Sequence, residues 1–236
     1  MQSDHGEIIP VYKPKGLTSF EVVRQVRRTL KVKRVGHAGT LDPLAEGLLI
    51  ILTGKKTKSM DDFLKLDKEY LATFKLGFTS KSHDLETELV EQAAREDLKE
   101  EQITDVLRDY TGRIEQVPPQ FSAAWVDGKR AYKLARNGVR FELKAKAVFI
   151  SELKLESFAY PSLKLRIVCS SGTYIRSLAR DIGADLRCGA VLTELVRTRI
   201  GTYRAEEAIK LAELSSSSCS LLRTDSHDDG RHRCAA

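Results

Sequence analysis

The sequence predicts an α+β fold built on one large, mostly antiparallel or mixed sheet. Strand-like and helix-like segments interleave along the chain, and strand pairs are joined by short turns. A third observation is the apolar run Leu48-Leu49-Ile50-Ile51-Leu52, which has the length of a fully buried strand.

The elements follow in order. Ile8 to Tyr12 reads as the first strand, and Lys13-Pro14-Lys15-Gly16 as a basic turn. Thr18 with Glu21 three residues on fits a capping box. It opens a helix with Val22, Val23, Val26 and Leu30 on one face and Arg24, Arg27, Arg28 and Lys31 over much of the rest. Residues 34–43, RVGHAGTLDP, carry too many glycines for a helix or central strand and are expected to form a structured loop. The buried strand 48–52 is next, then a helix over 57–65. Glu69 to Gly77 alternates as a strand with Tyr70, Ala72, Phe74 and Leu76 on one face. Residues 78–88 are a polar loop and 99–110 an amphipathic helix. Pro118-Pro119 begins an extended stretch through Trp125, Asp127-Gly128 turns, and 129–137 is helical with Gly138 as C-terminal cap. Two or three strands are expected over 139–170, a helix over 173–187, a strand over 190–200 and a last helix over about 205–214. From Ser215 the chain is polar with almost no apolar periodicity, so the expected organisation is one domain over 1–214 and a disordered tail over 215–236.

Bulk properties bound the function. A chain of 236 residues with 42% hydrophobic content buries roughly 70% of its unfolded surface without staples. The formal charge of +6 favours polyanionic partners. Cys169, Cys188, Cys219 and Cys234 include no CxxC pair and suit a reducing cytosol. The N-terminus does not read as a signal peptide and no apolar run is long enough for a membrane span, so a cytoplasmic protein is expected. Nothing in the residues calls for a protein partner, and a monomer is expected.

The chemistry-bearing residues cluster in a few segments. Asp42 lies in the glycine-rich loop, and Pro43 biases it towards extended geometry. Alone, a loop Asp-Pro usually satisfies only its own turn. His37, between glycines, is either a surface histidine or a plate or donor for nucleic acid. In Ser170-Ser171-Gly172-Thr173-Tyr174-Ile175-Arg176 a strand gives way to a helix. An Arg there can keep a carboxylate ionised and grip it with two parallel hydrogen bonds. Tyr70 reads as core packing or as an aromatic plate. Gly54-Lys55-Lys56-Thr57 only imitates a phosphate loop, because Leu49 and Lys56 occupy the positions of its first Gly and its Ser/Thr. His227, Asp228, Asp229, His232 and Cys234 could bind metal adventitiously, without an orienting shell. Gly36-His37-Ala38-Gly39 matches a KH-type clamp, but a strand rather than a helix follows.

The stretch Arg34 to Gly47, RVGHAGTLDPLAEG, resembles the catalytic loop of the TruB-type tRNA pseudouridine synthases. Three further segments match that family in order: Val11 to Ser19, Val117 to Ala123, and Ser170 to Arg176. The similarity covers about residues 8–213. It implies a large curved mixed sheet flanked by helices, an active-site cleft, no metal, no organic cofactor, and the T arm of tRNA as partner. By matched position it implies that Asp42 is the catalytic carboxylate, Tyr70 stacks on the target base and Arg176 pairs with the Asp. Tyr174 and Leu195 line the pocket, His37 contacts the T loop, and Lys13 and Asp84 are substrate-binding residues. Ser80-Lys81-Ser82-His83-Asp84 departs from the family pattern by placing Lys81 where an Asp is usual. The chain resembles a short form without the C-terminal RNA-binding module. The implied reaction flips a uridine at tRNA position 55 and isomerises it, with attack on C1′ and attack on C6 both open. A non-catalytic RNA-binding module and a uracil-releasing hydrolase are the alternatives from other classes.

Overall fold

The computed structural model describes residues 6–214. The expected tail, with Cys219, Cys234 and its histidines, lies outside the described residues. In chain order the strands are β1 (Ile8–Lys13), β2 (Val35–Ala38), β3 (Glu46–Thr53), β4 (Lys68–Leu76), β5 (Phe78–Thr79), β6 (Val90–Glu91), β7 (Gly112–Gln116), β8 (Trp125–Val126), β9 (Lys129–Arg130), β10 (Lys146–Ala159), β11 (Ser162–Cys169), β12 (Ala190–Ile200), β13 (Tyr203–Arg204) and β14 (Ile209–Lys210). The α-helices are α1 (Ser19–Leu30), α2 (Met60–Lys65), α3 (Glu100–Asp109), α4 (Ala131–Arg136) and α5 (Ile175–Asp185).

Ten of these strands form one sheet in the order β14-β1-β3-β12-β4-β11-β10-β7, with β2 on β3 and β13 on β12. The β1–β14 and β3–β12 pairs are parallel and the others antiparallel. The fold is thus the expected α+β class on a mixed sheet.

Sequence chemistry explains the elements that carry the site. Thr18 caps α1: its Oγ1 accepts the Glu21 N–H at 3.1 Å, and Glu21 Oε2 accepts the Thr18 N–H at 2.7 Å. Val22, Val23, Val26 and Leu30 then pack against Ile9, Val11, Leu49 and Ile51 on one face of the β1–β3 ladder. Leu48, Ile50 and Leu52 face the other way, onto Phe63 and Ile200, so β3 is buried on both sides. Along β4 the alternation holds, with Tyr70, Ala72, Phe74 and Leu76 all inward. They meet Leu165 and Ile167 of β11 and Leu178 and Ile182 of α5. Each fully buried Leu or Ile there contributes roughly 1.5–3 kcal/mol.

Four expectations are corrected. Residues 34–43 are not all loop: β2 pairs with β3 from Val35↔Thr53 to Ala38↔Ile50. On that edge β12 reaches only Glu46 and Gly47, so the remaining backbone groups of β3 need another partner. The helix expected over 57–65 is a 3-10 turn over Gly54–Ser59 followed by α2. The last helix does not form. Residues 205–214 instead give two short 3-10 turns around β14, which pairs with Val11 and Tyr12 on the open edge of β1. Residues 139–145 alternate like a strand but carry no ladder, and strands begin only at Lys146.

Gly47 sits where β3 meets β12. Its φ is +105°, and a Cβ there would lie 2.4 Å from the Arg197 carbonyl oxygen and 2.8 Å from the Arg197 nitrogen. Backbone cannot step aside as a side-chain tip can. Gly47→Ala is therefore expected to lower the urea-unfolding midpoint, with a loss of about 2 kcal/mol or more; an unchanged midpoint would refute this account of the junction.

Candidate active site

The Asp42 loop is pinned at several points. Ser19, at the start of α1, grips it with one hydroxyl, which accepts the Leu41 N–H at 2.9 Å and donates to the Leu41 carbonyl at 3.1 Å. The Pro43 carbonyl accepts the Gly16 N–H at 2.7 Å, and the Asp42 carbonyl accepts the Ala45 N–H at 3.1 Å. The loop is thus fastened to the β1–α1 turn on one side and closed by its own turn on the other.

Arg176, in the first turn of α5, meets the Asp42 carboxylate through Nε, 2.9 Å from Oδ2. The same Nε lies 3.6 Å from Oδ2 of Asp84. Nη1 donates to the Ser82 carbonyl at 3.2 Å and Nη2 to the Phe121 carbonyl at 3.0 Å. The guanidinium therefore does not grip Asp42 with two parallel bonds. Its terminal nitrogens donate to two other segments, and its nearest approach to the carboxylate is through Nε.

Asp42 keeps 41% of its side-chain surface, but that surface opens on a narrow cleft walled by Leu44, Ala45, Asp84, Leu192 and Leu195. Burial is accordingly the largest influence on the carboxyl and raises its pKa above 3.8. Arg176 opposes the rise; Asp84 and Glu86 add to it. The cleft has a cavity volume of about 10 Å³, room for roughly one water.

Two buried cations lie beneath the loop. Arg197 of β12 is 1% exposed. It donates to the carbonyls of Leu48 at 2.8 Å, Gly39 at 3.0 Å and Thr40 at 3.5 Å. Lys13, fully buried, donates from Nζ to the carbonyls of Leu17 at 2.7 Å and Pro14 at 3.0 Å. Burial brings the Lys13 ammonium down to about 8, while the nearby Asp42 charge works against that fall.

The structure places the other residues expected at the site as follows. Tyr70 is buried in one apolar cluster with Leu41, Ala45 and Leu195, and the charge of Arg197 acts on its phenol. Burial raises the phenol's pKa. Leu195 and Asp84 line the Asp42 cleft, and Asp84 Oδ1 also accepts the Glu86 N–H at 2.9 Å. Tyr174 caps the start of α5, half-buried. His37 stands on β2 with a buried Nδ1 that finds no partner, and burial together with Arg197 lowers its pKa. No hydrogen bond or ion pair among the described residues joins it to Asp42. Lys81 and His83 line a wider cleft of about 490 Å³ with Pro118, Gln120, Phe141 and Arg180. Burial, then Arg180 and Arg176, hold His83 down at about 4.

Sequence reasoning missed Arg197, Ser19 and Gln116 as parts of the site. For Arg197 a signal existed: it shares the inward face of β12 with Leu195, and a charge on an apolar face needs partners.

The geometry leaves a carboxylate at a narrow cleft, a guanidinium paired with it, and a buried tyrosine in one apolar cluster with the cleft residues Ala45 and Leu195, on a mixed sheet. Comparison with known proteins identifies the family that builds this arrangement. The family model described as TruB family pseudouridylate synthase (N terminal domain) matches residues 27–175, more than half of the chain. The chain belongs to the TruB family. A second model, the tRNA pseudouridylate synthase B C-terminal domain, matches residues 176–229 and so runs into the segment expected to be a tail. Among relatives, tRNA pseudouridine synthase B of Phocaeicola vulgatus is 50% identical over 217 residues, 89% of this chain and 92% of that protein. Its namesake in Bacteroides fragilis is 48% identical over 91% of this chain and 95% of that protein. That of Thermobifida fusca is 45% identical over 89% of this chain and 74% of that protein. TruB membership makes this an enzyme, a tRNA pseudouridine synthase of the isomerase class.

Among solved structures, a Cbf5-Nop10-Gar1 complex matches with a TM-score of 0.70 and 28% identity, over 94% of this chain and 56% of that one. An H/ACA RNP bound to a substrate RNA containing 2'-deoxyuridine matches with a TM-score of 0.67 and 26% identity, over 96% and 57%. The chain spans a little over half the length of these structural relatives.

The charge balance around Asp42 sets a pH expectation. The folded pKa lies above 3.8, so the ionised form disappears as pH falls through that raised value. The acid limb of kcat should therefore sit above 3.8, and Arg176→Lys should move it further up, because the opposing charge no longer sits at Nε. Lys also lacks the fork that spans Ser82 and Phe121, so kcat should fall by about tenfold or more. A Lys variant with the wild-type profile would refute this.

Proposed function

We propose that this enzyme converts the uridine at position 55, in the T loop of tRNA, to pseudouridine, with Asp42 as nucleophile. The observation that carries the reading is the Asp42–Arg176 ion pair at the wall of a cleft shared with Leu195 and Asp84. The substrate base is flipped from the RNA stack, at a cost of a few kcal/mol. That cost is offset by contact with Tyr70 and Leu195. Asp42, held ionised by Arg176, attacks either C1′ of the ribose or C6 of the uracil. The N1–C1′ bond breaks, the uracil turns, and C5 joins C1′ as the bond to Asp42 is released; the proton on C5 then leaves and N1 takes one up, so the product is an isomer of the substrate and the carboxylate is regenerated. Tyr174 and His37 complete the grip on the T loop, and Lys13 and Asp84 support the pocket. The near-complete overlap with proteins named tRNA pseudouridine synthase B supports tRNA as substrate; on the same reading the chain acts in the cytoplasm without an accessory protein.

The surface supports an RNA-backbone track. Exposed Arg24, Arg27, Arg28 and Lys31 on α1 are followed by exposed Lys33 and Arg34 at the start of the edge strand β2, and by exposed Lys55, Lys56 and Lys58 in the 3-10 turn after β3. Phe20 is 60% exposed on the same helix, with Arg24 over its ring.

Two outcomes are expected. Asp42→Asn should abolish tritium release from tRNA labelled at C5 of uridine while binding persists. Release at the wild-type rate would sink the assignment, and appearance of free uracil with wild type would replace it by glycosidic hydrolysis. Arg27→Glu/Arg28→Glu should raise the Kd for tRNA by about tenfold or more at low salt. It should also flatten the log Kd–log salt slope by about 1 for each phosphate no longer neutralised. A slope like that of the wild type would remove α1 from the interface.

A further inference from the structure

Arg176 depends on a segment with no ladder of its own. Residues 117–124, between β7 and β8, form no regular structure, yet the Phe121 carbonyl holds Nη2 of Arg176 at 3.0 Å. We propose that Gln116 is a positioning residue for this reaction: it fastens that strap to the first turn of α5, so that Arg176 presents Nε to Asp42. The inference rests on the reading of Asp42 and Arg176 given above.

Three contacts carry it. Gln116, the last residue of β7, is 2% exposed, and its Oε1 accepts the Tyr174 N–H at 2.8 Å. That N–H belongs to the residue capping α5, where the helix offers it no acceptor. One residue on, the Val117 carbonyl accepts from the Ser177 hydroxyl at 2.8 Å and from Nη2 of Arg180 at 3.1 Å. Pro118 and Pro119 follow, both buried; each fixes its own φ and neither has an N–H to offer a ladder. The strap is thus fastened to α5 at its beginning and at Phe121, and beyond Phe121 the carbonyls of Ser122 and Ala124 accept the Tyr132 and Ala131 N–H groups at the start of α4. Gln116 and Val117 hold its beginning; Arg176 holds its end at Phe121.

The amide is not there to economise on stability. Its Nε2 is buried without a partner, and an unmatched buried donor costs free energy that an apolar side chain of similar volume would not incur. The half of the side chain that does make a bond is the half that meets Tyr174.

Loss of the strap should be felt at Asp42. The groups acting on that carboxyl are Arg176 from α5, Asp84 and Glu86 from the polar loop, and Lys13 from β1. Arg176 is the influence that keeps it ionised, through an ion pair of 2.9 Å. If the guanidinium drifts, the carboxyl titrates at higher pH.

The test is a 13C titration of the Asp42 carboxyl in the full chain, alongside kcat and KM on tRNA, for wild type, Gln116→Met, Gln116→Glu and Ser177→Ala. Gln116→Met keeps the volume and loses the strong acceptor. Its Asp42 midpoint should rise, and kcat should fall about tenfold at neutral pH with KM changed less than threefold. Gln116→Glu retains an acceptor oxygen and should restore kcat to within about threefold of wild type. Ser177→Ala removes the shorter of the two hydrogen bonds to the Val117 carbonyl, leaving the one from Arg180, and should move the midpoint in the same direction as Gln116→Met by a smaller amount, so it carries the test should Gln116→Met fail to fold. An Asp42 midpoint unmoved in the folded variants overturns the proposal, as does a loss of melting temperature and kcat with no change of midpoint. Wild type that makes no pseudouridine in tRNA would instead sink the functional reading, and the midpoints would still report on the strap.

Discussion

The Arg176 guanidinium is the tie on which the rest of the site depends. Burial raises the Asp42 pKa above its ordinary value, because removing a carboxylate from water disfavours its charge. Arg176 opposes this, and it is itself fixed by acceptors from outside α5: Asp42, Asp84, and the carbonyls of Ser82 and Phe121. Three chain segments with no regular structure in common therefore meet at one planar cation. A buried Arg without such partners would be costly; here the cost is met by groups that also need a donor.

Beneath the loop the logic is reversed. Arg197 and Lys13 are buried cations whose hydrogen bonds are to backbone carbonyls rather than to carboxylates. Arg197 binds Gly39 and Thr40, ahead of Asp42, and Leu48, behind it. Lys13 holds the turn whose Gly16 N–H meets Pro43. The glycine-rich loop has few side chains with which to hold itself, so its geometry is supplied from below by long cationic side chains from β1 and β12. Their positive charge also reaches outward: Arg197 lowers the pKa of His37 and of Lys13, and Asp42 pulls Lys13 the other way.

Much of this was legible in the sequence. The capping box at Thr18, the inward face of β4 and the bounds of β12 rest on local patterns that the tertiary structure does not contradict. Asp42 and Arg176, 134 positions apart in a chain of 236, were matched through motif and are joined by 2.9 Å. The misses have physical reasons. Ala208, Leu211 and Leu214 have helical spacing, but β1 has an open edge, and pairing with it prevails. Val139, Phe141 and Leu143 alternate, yet no strand edge receives them, and Phe141 and Leu143 line a cleft. β7, GRIEQ, holds one large apolar residue, so no pattern announced it, and Gln116 at its end went unremarked.

The departure from a two-pronged Arg–Asp contact bears on the chemistry. A carboxylate gripped through both oxygens by one guanidinium has its charge fully committed, which suits a structural ion pair better than a nucleophile. At Asp42 the nearest approach is from Nε to Oδ2, and the side chain retains 41% of its surface. The guanidinium can do this because its other two nitrogens are occupied at Ser82 and Phe121. Those carbonyls fix the orientation of the guanidinium towards Asp42, and on the proposed role of Asp42 that orientation bears on how its oxygens meet the substrate. The backbone of the polar loop and of the proline strap is, on this reasoning, as much a part of the carboxylate's reactivity as the arginine that touches it.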